Sequence, residues 1–274
     1  MRLFMSIDLE GVAGVVHPEQ TRASGRLYNE ARRWMTAEAS AAYRGAAEGG
    51  ATSAIMADAH GDALNLDLDA LPPEVEIVSS WPRPLGMMQG ISEGCDAVFL
   101  IGYHTGAHHE RGVLAHSFHG QAISGLEVNG APASELVINA ALAGEFGAPI
   151  ALVAGDEATC AHARETLGRG VVTVATKTDH GRLSARSLTP AASCARIREA
   201  ADAAMRAAPA LQPLKIAPPI AVTLRLKHHW TAELLAYLPF VERLSAYEVS
   251  WTSPTMREVV GLIQFITSYR PLPP

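Results

Sequence analysis

Leu3-Phe4-Met5-Ser6-Ile7-Asp8-Leu9-Glu10-Gly11 decides how the rest of the chain is read. An apolar run of strand length stops at two carboxylates, two positions apart. Asp and Glu are poor strand formers, so they mark a strand end. On extended backbone, residues two apart share a face. The arrangement recurs: Asp58-Ala59-His60-Gly61 follows Ser53-Ala54-Ile55-Met56, and Gly102-Tyr103-His104 follows Ala97-Val98-Phe99-Leu100-Ile101. In an open α/β sheet, ligands bind outside the carboxyl ends of the strands. Three such ends bearing Asp, Glu or His predict one polar site assembled from distant segments. Two carboxylates this close raise the pKa of one unless a cation neutralises them. With two histidines available, a divalent metal or a pair of them is the natural occupant.

Working outward, the spacing predicts an Ala-rich helix over 29–48, stopped by Gly49-Gly50. Short strands follow at 75–78, 150–153 and 171–175. A helix opens at Pro132-Ala133-Ser134-Glu135, with Ser134 as its cap, and runs to about Phe146. Between Gly102 and Gly125 lies a His- and Gly-rich loop with a short strand near 113–117; loops of that length in compact domains are usually functional. Alternating strands and helices give an α/β fold, a mostly parallel sheet flanked by helices with right-handed crossovers.

After residue 175 the texture changes. Thr189-Pro190 opens a long Ala/Arg helix, and 212–219 is Pro-rich and linker-like. A strand at 220–226, a short helix at 231–238, a strand at 246–251 and a helix capped by Ser253-Pro254 complete the chain. The expectation is a catalytic, metal-binding α/β domain over 1–175 and a smaller C-terminal α+β domain over 176–274 with a role in oligomerisation.

A length of 274 residues allows ample core, and a formal charge of −6 argues against general nucleic-acid binding, which needs a basic footprint. Cys95, Cys160 and Cys194 are scattered, without a CxxC spacing, which fits free thiols in a reducing compartment. The N-terminus reaches Asp8 too soon for a signal peptide, and no stretch has transmembrane length. The expected location is the cytoplasm, with no membrane partner.

His60, His104, His108, His109, His116 and His119 crowd into the middle of the chain, six of its eleven histidines. The clustering favours a site without saying which of them bind. Asp58 shares a strand phase with His60 and reads as the group orienting that imidazole. His108-His109-Glu110-Arg111 and His228-His229 read as rim or surface, because adjacent histidines seldom chelate one ion. Glu135, in the first turn of a helix, is stabilised there by the helix dipole and can equally face the strand ends; Asn139 shares its face. There is no Walker A sequence, GxGxxG after a strand or HExxH. A mixed Asp/Glu/His set without thiolate suits zinc, manganese or a related ion in a catalytic setting.

Taken together, Met5 to Gly11, Asp58-Ala59-His60, Gly102-Tyr103-His104, His116-Ser117, Val128-Asn129-Gly130 with Pro132 and Glu135, Asn139-Ala140 and Val153-Ala154-Gly155-Asp156 resemble the bacterial D-aminopeptidases encoded beside dipeptide permeases. The resemblance covers nearly the whole chain. It implies a binuclear zinc peptidase with two zincs per subunit, held by Asp8, Glu10, His60, His104 and Glu135, with Asp8 bridging. It makes His116 the catalytic histidine, short peptides containing D-amino acids such as D-Ala the substrates, and a homodecameric ring around an inner chamber the assembly. Departures from the family pattern are Ala57, where the family carries Asn, the His108-His109-Glu110 stretch, and a loosely matching C-terminal third. A metal-dependent amidase or phosphoesterase, and a non-catalytic D-peptide-binding ring protein, are the alternatives.

Overall fold

The computed structural model describes residues 1–269. The chain runs β1 (Arg2–Ile7), α1 (Pro18–Thr21), α2 (Tyr28–Glu48), β2 (Ser53–Asp58), β3 (Val75–Val78), β4 (Ala97–Tyr103), β5 (Ile123–Val128) and β6 (Ala131–Pro132). It continues α3 (Glu135–Glu145), β7 (Ile150–Asp156), α4 (Glu157–Leu167), β8 (Val172–Gly181), β9 (Ser184–Ser187) and α5 (Pro190–Ala207). The last elements are β10 (Ile220–Leu226), α6 (His229–Leu235), β11 (Glu242–Arg243), β12 (Glu248–Ser253) and α7 (Met256–Ser268).

Seven strands form the first sheet in the order β3-β2-β1-β4-β7-β8-β9, parallel except for the last pair. Its central strands are continuous apolar runs because both faces are covered. Alternation along β1 divides the core: Leu3, Met5 and Ile7 pack on Ala39, Ala42 and Ala46 of α2 and Ile197, Ala201 and Ala204 of α5. Phe4 points the other way, into an apolar cluster with Leu136 and Leu142 of α3.

That second cluster continues without a break into Val222, Leu224 and Trp251 of an antiparallel sheet ordered β11-β12-β10-β5-β6. The boundary anticipated at 175/176 falls inside β8, and β9 and α5 belong with the first sheet. Conversely, β5 and β6 of the first segment join the second sheet. β8 carries on past residue 175 with Thr176 and Lys177 buried and reaches exposed surroundings at its far end, so the polar residues that change the texture there belong to the same strand.

Residues 113–117 form no strand. Their amides go to the Asp156 carboxylate (Val113, 2.7 Å), the Arg182 carbonyl (Leu114, 2.9 Å) and the Thr105 carbonyl (His116, 3.2 Å), so they are satisfied outside any ladder. Thr255, rather than Ser253, caps α7, and Asp156 caps α4, a helix the spacing did not predict. Among the described residues no helix is long and apolar enough to cross a membrane.

Candidate metal centre

β1 is the first strand in sequence yet sits inside the sheet, with β2 on one side and β4 on the other. Where strand order reverses in this way, the loops leave in opposite directions and open a crevice at the carboxyl ends. Asp8 and Glu10 enter it after β1, His60 after β2 and His104 after β4. Glu135 enters from the first turn of α3, whose cap Ser134 accepts from the Val137 amide.

The loop after β1 lies directly on the β4 backbone. The Asp8 amide donates to the Ile101 carbonyl (2.8 Å) and the Gly11 amide to that of Gly102 (2.7 Å). A Cβ on Gly11 would stand 2.0 Å from the Tyr103 carbonyl oxygen; one on Gly102, whose φ is +73°, would stand 2.0 Å from that of Asp8. Only glycine fits at either position. β1 has ended at Ile7, so a turn, rather than extended backbone, brings Asp8 and Glu10 to one side.

All five predicted ligands are buried and converge. His60 Nδ1 lies 2.9 Å from Glu10 Oε2 and 3.3 Å from Asp8 Oδ1. His104 Nε2 lies 3.4 Å from Asp8 Oδ2 and 3.5 Å from Glu135 Oε1. Asp8 thus turns one oxygen to each half of the site. The other nitrogen of each imidazole faces a backbone carbonyl, Thr21 for His60 Nε2 (2.7 Å) and Thr105 for His104 Nδ1 (2.9 Å). A carbonyl only accepts, so those nitrogens carry hydrogens, and the inward nitrogens are the ones that a cation could take in place of a proton, as in metal-binding histidines.

Burial pushes the Asp8 carboxyl up, but hydrogen bonding and charge from His104 and His60 outweigh it and hold it well below its ordinary value. Glu10 is lowered too, His60 outweighing its burial, whereas burial raises Glu135. Burial alone would lower His104, yet Glu135 and Asp8 push it up to about 10; Glu10 and Asp8 raise His60 well above its usual range. Three buried carboxylates demand positive charge, and a divalent cation supplies it in the same place. Glu10 Oε2 is buried beside His60 Nδ1 (2.9 Å), a position that suits a cation ligand. Ligand atoms of Asp8, Glu10 and His104 lie within 4.8 Å of one another, as do those of His104, His116 and Glu135.

His116 is half-buried, stacked on His104 with ring centroids 4.2 Å apart and 9° between planes. Its Nδ1 lies 2.8 Å from the Leu114 carbonyl, which leaves Nε2 as the exchangeable nitrogen. Asp58 does not hold the His60 ring. Its carboxylate accepts from the Asn65 and Leu66 amides and the Asn65 side chain, which bonds the His60 carbonyl (2.7 Å), so it shapes the turn and Thr21 orients the imidazole. Asn139 turns under the site, donating to the Tyr103 hydroxyl (2.8 Å), which also meets Ser6 Oγ (2.7 Å). His108 and His109 gather with His162 on the far side of Ser134, and His229 bonds Arg243 at the surface.

Two contributors escaped the sequence. The Lys177 ammonium is buried and donates to the carbonyls of Glu10, Val12 (2.8 Å) and Val15 (2.5 Å). Thr176 Oγ1 donates to the Gly11 carbonyl (2.6 Å). Burial brings Lys177 down to about 8 despite nearby Asp156 and Glu38. The signal was present: Val172-Thr173-Val174-Ala175 is another apolar run halted by polar residues.

A family model described as D-aminopeptidase matches residues 1–265. A D-aminopeptidase of Bacillus subtilis (strain 168) is 32% identical over 194 residues, 70% of this chain and 69% of that protein. Among solved structures, the Zn-dependent D-aminopeptidase DppA from Bacillus subtilis, described as a self-compartmentalizing protease, superposes with a TM-score of 0.93. That likeness covers 97% of each chain at 27% identity. With five ligand-type side chains meeting at the sheet's switch point and these likenesses over the whole fold, the chain belongs to the D-aminopeptidase family.

Proposed function

We propose that this chain is a zinc-dependent aminopeptidase that removes the N-terminal residue of short peptides containing D-amino acids. The observation that carries this is the division of the centre by Asp8. Oδ1 faces His60 beside Glu10, and Oδ2 faces His104 beside Glu135. Asp8, Glu10 and His60 would hold one zinc and Asp8, His104 and Glu135 a second, giving two per subunit. When bound, such a pair polarises the scissile carbonyl and makes hydroxide available near neutral pH. His116 has the remaining role. With Nδ1–H fixed on Leu114, its Nε2 would accept a proton from the attacking water and pass it to the departing amine, and in that protonated form could also donate to the carbonyl oxygen of the tetrahedral intermediate. Its partial exposure, beside five buried ligands, is that of a group meeting substrate. The backbone carbonyls on His60 and His104 keep those rings in place through turnover.

Assembly into a closed ring is part of the proposal, since the similar DppA is described as self-compartmentalizing. Trp230, Leu234, Tyr237, Phe240, Leu244 and Tyr247, from α6 to the start of β12, are large apolar residues left exposed, a surface suited to contact between copies. A decamer is the expected stoichiometry.

The test is zinc content per subunit, alongside hydrolysis of D-Ala-D-Ala and its L,L counterpart with and without chelator. About two zincs and D-selective cleavage lost to chelator are expected. Cleavage of other amides or aryl phosphates instead would move the chemistry to the amidase or phosphoesterase reading. His116→Ala should keep both zincs and lose about 10²–10⁴-fold in kcat. If zinc is lost with the ring, His116 is a ligand.

A further inference from the structure

Beside Glu135 a cavity of about 450 Å³ opens between the strand-end loops and α7. Its walls are Trp81, Phe118 and Met87, with His119 next to Phe118; Gln264, Thr267 and Ser268 of α7 stand along another side, and Glu135 lies where it meets the metal centre. Among the described residues no lysine, arginine or aspartate lines it, and Glu135 is its one carboxylate. The volume is in the range of sites that enclose small organic ligands, and the methyl group of an alanine residue would leave most of it unfilled.

The aromatic walls are fixed, and each is tied to the metal centre. Trp81 Nε1 donates to the Gly61 carbonyl (2.8 Å), next in the chain to His60, and the Arg83 guanidinium lies 4.4 Å from the centroid of the Trp81 ring. Arg83 is itself buried and donates to the carbonyls of Asp58 (2.8 Å), Val78 (3.0 Å) and Ser80 (2.5 Å), so the indole is held from behind. The Phe118 amide donates to Glu135 Oε1 (2.5 Å), and Phe118 adopts a φ of 55°. A bulky residue with positive φ is uncommon and needs surrounding structure to hold it. Its backbone is thus anchored on a proposed ligand while its ring faces the cavity. Two aromatic surfaces placed beforehand at the edge of a reacting centre select by shape and apolar contact.

We infer that this cavity is a subsite for a bulky, uncharged apolar or aromatic side chain next to the scissile bond, so that peptides with D-Phe or D-Leu are preferred to D-Ala peptides. This deepens the proposed peptidase reading and rests on it. Trp81 is the wall whose loss should cost most, and Gln264 is placed to meet the peptide groups that follow.

The zinc-loaded protein is assayed on D-Ala-D-Ala, D-Phe-D-Ala, D-Ala-D-Phe and the corresponding D-Leu peptides. One of the bulky positions should exceed D-Ala-D-Ala in kcat/KM by at least about tenfold, since a single methylene in an apolar pocket is worth that much. Trp81→Ala should reduce that ratio by roughly tenfold, and Trp81→Phe should retain most of it. In parallel, calorimetry with D-phenylalanine and D-alanine reads the pocket without turnover. Wild type should bind the aromatic amino acid more tightly, and Trp81→Ala should lose the difference. D-Ala-D-Ala as the best substrate, or a ratio and binding difference unchanged in folded Trp81→Ala, overturns the subsite while leaving the peptidase reading intact. If no D-peptide is cleaved, the peptidase reading fails and calorimetry alone decides the subsite.

Discussion

The loop after β1 (residues 8–15) and the loop after β4 (residues 104–119) bring candidate ligands to one centre and are fixed by opposite means. The first is short and buried: its carbonyls are held by Thr176 and Lys177, its Ala13 amide donates to Glu38 (3.0 Å), and Gly11 lets it lie on β4. The second is long and partly exposed, tied by scattered bonds from Val113 and Leu114 and by an Arg111–Asp179 ion pair at the surface. The first contributes only Asp8 and Glu10, whereas the second contributes His104, His116 and the Phe118 wall of the cavity. Asp8 and Glu10 thus sit on buried, firmly bonded backbone, whereas His104, His116 and Phe118 sit on a loop where adjustment costs less.

That contrast breaks most readily at Lys177. Replacing it with methionine strands three buried carbonyls, at about 1–3 kcal/mol each. Lys177→Met should therefore lose about 3 kcal/mol or more of stability and much of its zinc. Denaturant midpoint and metal content report both; unchanged values would mean that the clasp does not fix the first loop.

A second effect belongs to Glu38, whose carboxyl accepts from Ala13 and from Ser193 Oγ (2.7 Å). Burial pushes its pKa from 4.5 up to about 7. The folded state thus binds this proton more tightly than the unfolded chain. The associated stability is fully present below pH 4.5 and is lost as pH rises through about 7, roughly 3 kcal/mol in all. Glu38→Gln keeps an acceptor for both partners and should flatten the stability profile between those values. A wild-type profile already flat there would show that Glu38 titrates normally.

The smallest effect is expected from the second loop's ion pair. Arg111 is exposed, and such pairs contribute little and are screened by salt. Arg111→Ala should leave the denaturation midpoint within error of wild type. A clear loss would mean that the second loop is held as firmly as the first, and the contrast would fail.

Local pattern carried much of this architecture. The bounds of β3 and β10 and the caps of α3 and α5 follow from apolar runs, Ser134 and Thr189. Asp8, His60 and His104 were legible because each follows an apolar strand run. Glu135 and His116 were only possibilities on residue grounds, since a carboxylate in a first helical turn has a sufficient structural reason to be there and one histidine among six is not singled out. The predicted strand at 113–117 failed because its amides are satisfied by Asp156, Arg182 and Thr105, partners that no strand periodicity encodes.

By itself the sequence determined the strand–helix alternation, the strand ends and the kinds of side chain placed there, because periodicity and caps act over a few residues. Tertiary structure alone decided that Asp8 divides its oxygens between His60 and His104, and that Lys177 reaches Val12 across 165 positions. It also decided that Trp81, Phe118 and α7 enclose one cavity. Such contacts arise only when the sheet closes and buried polar groups must find partners, and the partner each one finds depends on which loops the strand order brings together.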